Sequence, residues 1–202
     1  MPLSPHDMFD RLGAPLTSTV RWGGPCGHAG PGVYAVSISP DPLCGAGPAA
    51  APVCSSAIDA WIAGVPSMLL DGVTPSLAAL HAFLASQWVA NEAILYVGKA
   101  SSLAARTAQF FGHALGRRRP HAGGHWIKTL SIMPDLFLHC AECPSPADAA
   151  RLETGALDLF MSCVPSAVRA TLANPELPLP FANRVHPVLG RKQARLRRDV
   201  LP

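Results

Sequence analysis

The chain has 202 residues, of which 49% are apolar and 14% charged, with 21 Pro, 17 Gly and six Cys. That apolar content supports a buried core and excludes wholesale disorder, while the Cys are too dilute for a disulfide-stapled mini-domain. The net charge of +3 hides an asymmetry, because residues 184–202 hold six of the 16 Lys/Arg against one acid, Asp199, and the remainder is slightly acidic. A basic tail on a near-neutral body points to a polyanionic partner, with a solvated tail as the plain alternative. The N-terminus, MPLSPHDMFDRL, carries acids and no apolar run, so it does not read as a secretory signal. The expected compartment is a reducing cytoplasm with free thiols.

Residues 1–31 begin polar and end rich in Gly and Pro, which reads as an N-terminal extension closing in a turn. GVYAVSIS (32–39) favours a strand through Val33, Tyr34, Val36 and Ile38, and the small, biased residues of 40–56 read as a loop. Residues 72–91 carry no formal charge, but their polar positions and apolar stripe predict an amphipathic helix rather than a membrane span. That helix should begin near Thr74–Pro75 and present Leu77, Leu80, Leu84 and Trp88 on one face. AILYVG (93–98) reads as a buried strand, and Ser101 or Ser102 caps a helix to about Leu115 with Leu103, Thr107, Phe110 and Phe111 inward.

RRRPHAGG (117–124) breaks the chain, and HWIKTLSI (125–132) fits a strand or a short helix. DLFLHCAEC (135–143) is strand-like, and Ser145-Pro146-Ala147-Asp148 opens a helix to about Met161 that buries Leu152, Ala156, Leu159 and Phe160. The Pro-rich run 173–184 ends it. This order of elements argues for a small α/β sandwich with a mixed sheet. Cys140 and Cys143 have a zinc-like spacing after His139, but no second Cys pair at that spacing exists, so they read as thiols at a strand end.

The two tyrosines of the chain lie in matching tripeptides, Gly32-Val33-Tyr34 and Tyr96-Val97-Gly98. Lys99 follows the second, Arg106 lies on the next helix, Glu153 sits within the last long helix, and Asn183 follows in the Pro-rich loop. This ordered set resembles the GIY-YIG nuclease superfamily, over residues 32–39 and 93–183; YVGKASSLAARTAQFF is most similar to the incision subunit of bacterial nucleotide-excision repair. The resemblance implies a small three-stranded mixed sheet flanked by helices, with a helical insertion, residues 40–92, between the first two strands. It divides the chain into an extension (1–31), a nuclease-like domain (32–183) and a basic tail (184–202). Two departures are visible: the insertion separates tripeptides that usually lie close together, and Phe110 stands where many members have His or Tyr. His113, one turn later, is the candidate substitute.

The chemistry fits those residue types. Hydrolysis of a phosphodiester needs a proton acceptor for water, positive charge on the phosphate and a stabilised leaving oxygen. Arg106 can grip phosphate through its planar fork, and Glu153 can hold a hard cation that keeps its waters. The resemblance implies Tyr34 or Tyr96 as the base, Lys99 favouring its phenolate, Glu153 as the metal ligand, and one Mg²⁺ or Mn²⁺ ion as cofactor. Gly32, Gly98, His113 and Asn183 would support the site, and Arg117, Arg118, Arg119, Arg191 and Lys192 would track a nucleic-acid backbone. The expected function is a metal-dependent DNA endonuclease, restriction-type or repair-type, for which a double-strand cut would call for a homodimer. A catalytically inactive nucleic-acid-binding module is the first alternative, and a protein-interaction domain that docks a partner through the 40–92 insertion is the second.

Overall fold

Strand Gly32–Ser37 is buried at every position, which places it at the centre of a sheet covered on both faces. A computed structural model describes residues 1–117, 124–192 and 196–198. In chain order the elements are α1 (Pro5–Arg11), β1 (Ser18–Arg21), β2 (Gly32–Ser37), α2 (Ser55–Gly64), β3 (Met68–Leu70), α3 (Leu77–Ala85) and β4 (Ile94–Ala100). They continue with α4 (Leu103–Gly112), α5 (Gly124–Ile127), β5 (Phe137–Glu142), α6 (Pro146–Cys163), α7 (Ser166–Arg169), β6 (Val185–His186), β7 (Gly190–Arg191) and β8 (Leu196–Arg198).

The class is α/β, but the expected three-stranded mixed sheet is corrected. The main sheet has four strands in the order β1-β5-β2-β4, and every neighbouring pair is antiparallel. β4 and β5 run the same way, yet they flank β2 instead of pairing with each other, so no parallel ladder forms. The additional strand comes from the N-terminal stretch, where Ser18–Arg21 alternates between half-buried and exposed as an edge strand does. Two short pairs, β3–β8 and β6–β7, stand apart from this sheet.

Alternation along the strands sends side chains into two cores. Tyr34, Val36, Leu138 and Cys140 pack with Leu103 and Phe110 of α4 and with Ile58, Trp61, Leu80, Phe83 and Leu84 of the insertion. Val33, Ala35, Val97 and Ala141 pack with Met8 and Phe9 of α1 and with Ala149, Leu152, Ala156 and Phe160 of α6. The insertion is therefore part of the main core: α3 turns Leu80, Phe83 and Leu84 inward and Trp88 packs there from beyond the helix end, while Leu77, expected on the same face, is exposed. α2 within it was not expected. Its Ile58 and Trp61, spaced three apart, are buried on one face, and its N-cap, Cys54, makes no side-chain cap bond.

Local signals placed the other helices well. Ser102 accepts from Ala105 N–H at the start of α4, and Ser145 accepts from Asp148 N–H before Pro146 at the start of α6. α3 is capped by Ser76, two residues later than Thr74, and the ambiguous run after residue 124 opens as a short helix. On α6, Leu157 is buried where Leu159 was expected; Leu159 is half-buried at its flank. No helix among the described residues is long and apolar enough to cross a membrane.

β4 is an edge strand, and the chain after α7 returns to cover it. Ala182 N–H donates to Leu95 O at 2.8 Å, and the Asn183 amide both donates to and accepts from Val97 at 2.8 Å. An otherwise open row of backbone groups is thereby paired.

The start of β4 carries a buried acid. Glu92 is 2% exposed and accepts from Leu3 N–H at 3.2 Å. Burial pushes its carboxyl up to about 7 from an ordinary 4.5. Its folded pKa lies above the unfolded one, so stability is full below the ordinary carboxylate range and falls as pH rises through 7. Glu92→Gln should therefore be more stable than the parent at pH 8, by up to about 3 kcal/mol, and the gain should shrink to under about 1 kcal/mol near pH 5. Urea denaturation at both values checks this; a difference that does not change with pH would contradict it.

Candidate active site

The two tripeptides face each other across the β2–β4 ladder, with Tyr34 opposite Gly98 and Gly32 opposite Ala100. A side chain at Gly98 would place its Cβ 2.7 Å from Tyr96 Cε1 and 2.8 Å from Tyr34 Cζ and Oη. Gly98 is thus the floor on which both rings rest, 5.9 Å apart between centroids. Gly32 has a different duty: its Cβ would lie 2.4 Å from Ala141 O and 2.6 Å from Leu103 Cδ1, so it lets α4 approach the sheet.

The site wraps around the β4 edge. On one face lie Tyr34, Tyr96 and Arg106 from α4; on the other, Lys99 Nζ meets Glu153 of α6 at 3.0 Å. Tyr96, Lys99, Arg106 and Glu153 line one cleft of about 430 Å³, together with Ser101, Ser102 and Gln109. Tyr96, Lys99 and Glu153 also line a second cleft of about 410 Å³, walled by Asn183, Arg184, Val185, Pro187 and Arg191. The two clefts meet at the Lys99–Glu153 pair. Four of the five predicted catalytic side chains therefore border one groove, and the fifth, Tyr34, lies fully buried behind Tyr96.

The hydroxyls are linked. Tyr34 donates to Tyr96, and Arg106 donates to Tyr34. Burial pushes both phenols up, Tyr34 well above the ordinary 10 and Tyr96 to about 12. The Tyr96 anion next to Tyr34 and the Glu153 carboxylate next to Tyr96 act in the same direction, while Arg106 pulls both down.

The remaining predicted residues divide. Arg191 is exposed and lines the second cleft. Lys192 is not part of a free basic surface: it is 6% exposed, and its ammonium donates to Leu179 O and Pro180 O at 3.1 Å and to Phe181 O. Burial draws it down to about 7, against three carbonyls that favour the charged form. Asn183 has both amide atoms on Val97, which makes it a brace for the strand carrying Tyr96.

His113 does not line either cleft. It caps the far end of α4, buried, with Nε2 2.8 Å from His125 Nε2. Phe110, one turn after Arg106, is buried against both tyrosine rings, at 5.4 Å from Tyr96 and 6.2 Å from Tyr34. The first cleft runs along α4 as far as Gln109, and exposed Arg117, past the C-terminal end of that helix, lines neither cleft. Arg118 and Arg119 lie outside the described residues.

Arg184, Val185 and Pro187 border the groove and were not singled out in the sequence. Their signal was a turn, Pro187 to Gly190, between two short runs. Among the described residues no three His, Cys, Asp or Glu side chains gather as a ready metal cage. No family model matches the chain, and no curated protein or solved structure matches it.

Because the chain has two tyrosines, tyrosinate absorbance reads this site alone. The folded protein should show no tyrosinate at pH 10.5, whereas both phenols should titrate near 10 in denaturant. Glu153→Gln should lower the Tyr96 titration and Arg106→Met should raise it. Half-titration near pH 10 in the folded state would contradict the burial and coupling described.

Proposed function

We propose that the protein is a metal-dependent endonuclease that hydrolyses DNA phosphodiesters, of restriction or repair type, working in the manner of the GIY-YIG nucleases. The observation that supports this most strongly is the convergence of Tyr96, Lys99, Arg106 and Glu153 on one cleft from three separate elements. The two joined clefts present Lys99, Arg106, Arg184 and Arg191 against a single acid, Glu153, a balance that suits a polyanion.

Within this reading Tyr96 faces the substrate and takes the proton from water, and Tyr34 is a positioning residue whose donated hydrogen bond favours a Tyr96 phenolate. Arg106 and Lys99 oppose the charge that grows on the phosphate oxygens. Glu153 is 15% exposed at its side chain and sits where the clefts meet, so it can hold Mg²⁺ or Mn²⁺ through one carboxylate once Lys99 turns to phosphate. The cation supplies charge neutralisation and a more acidic water.

A second reading, a nucleic-acid-binding module without turnover, is favoured by the closed Lys99–Glu153 pair and by the upward push on both phenols.

Supercoiled plasmid separates the two. With Mg²⁺ the purified chain should nick it, EDTA should stop the reaction, and Glu153→Gln should slow it at least about 100-fold while the circular dichroism stays unchanged. Salt-sensitive binding without turnover in either Mg²⁺ or Mn²⁺ would establish the second reading. Undiminished cleavage by Glu153→Gln would remove Glu153 from the site.

A further inference from the structure

The outer wall of the second cleft is the hairpin β6–β7, whose Val185, Pro187 and Arg191 stand across from Tyr96, Lys99 and Glu153. Its tip is apolar and open: Val188 is 77% exposed and Leu189 58%. A two-stranded hairpin this short has little stability of its own in water. Here two buried polar side chains hold it.

His186, 1% exposed, accepts from Val188 N–H at 3.2 Å and Leu189 N–H at 3.1 Å through Nδ1. Its Nε2 lies 3.1 Å from the Asp158 carboxylate of α6, without the geometry of a hydrogen bond. Lys192, immediately after the hairpin, is tied to the 179–181 carbonyls. Backbone groups at the tip are thus bound from below while Val188 and Leu189 project outward. Burial of His186 and Lys192 makes sense if the fold must present this tip in one fixed pose.

An apolar tip on a hairpin whose base carries Arg184 and Arg191, at the rim of a basic groove, matches the chemistry of duplex DNA, which is anionic outside and apolar between its stacked bases. Apolar side chains that enter a base step unstack it and kink the duplex. We propose that the β6–β7 hairpin is a wedge that enters the base stack next to the groove, with Val188 and Leu189 as the inserted side chains and Arg191 on the adjoining phosphate. The inference rests on the nucleic-acid reading above, and it narrows the substrate to DNA that is easily unstacked, such as mismatched or branched duplexes.

Closed plasmid relaxed by a metal-independent topoisomerase in EDTA reports such unwinding without cleavage. The full chain should shift the linking number, and it should bind a mismatched duplex more tightly than a matched one. Val188→Ser/Leu189→Ser, an exposed pair whose change leaves the core intact, should keep binding to matched duplex but lose both the shift and the mismatch preference. Binding with no linking-number change, or an unchanged double variant, overturns the wedge while leaving the groove reading in place. Self-association that the double variant abolishes would assign the tip to a second copy and equally overturn it. Failure of the chain to bind DNA at all overturns the wedge together with the reading beneath it.

Discussion

Two tyrosine rings packed over the bare backbone of Gly98 are the constraint from which the rest of the site follows. Tyr34 stands directly opposite Gly98, and Tyr96 lies two residues earlier on the same face of β4. Any side chain at Gly98 would occupy the space of both rings. With the rings in contact, one phenol is sealed inside and the other reaches the groove. Phe110 closes the cluster from α4, where Arg106 is placed to bond the inner hydroxyl.

Placing this cluster on an edge strand decides the electrostatics. A central strand would have walled the phenols from the opposite face of the sheet. At the β4 edge, the α4 face contributes Tyr96 and Arg106 and the α6 face contributes Lys99 and Glu153, and all four meet at one groove. An edge needs cover, and Ala182 and Asn183 supply it by pairing with Leu95 and Val97. The same returning chain then forms the hairpin that walls the second cleft, so protection of the edge and construction of the groove are one structural solution.

What could be read from the sequence was what is encoded locally. Ser145-Pro146 and Ser102 announced their helices because a cap and a first-turn proline act within four residues. The tripeptides, Lys99, Arg106 and Glu153 were legible because their order along the chain survives folding. Strand pairing was not, since whether β4 and β5 pair or flank β2 depends on contacts far apart in sequence. β1 was hidden because a polar edge strand lacks an apolar run. Lys192 was misplaced because a count of charges does not say which of them are buried, and its ammonium turned out to fasten a loop. His113 was a candidate by spacing, but it is buried against His125 at the C-terminal end of α4 and lines neither cleft.

In the proposed mechanism Tyr96 meets the substrate and Tyr34 only orients it. Initial rates of plasmid nicking by Tyr96→Phe and Tyr34→Phe, measured side by side under Mg²⁺, test it most directly. That division of roles predicts near-complete loss for Tyr96→Phe and a partial loss for Tyr34→Phe, whose ring still fills the space over Gly98. Equal rates in the two variants, or a greater loss for Tyr34→Phe, would contradict it.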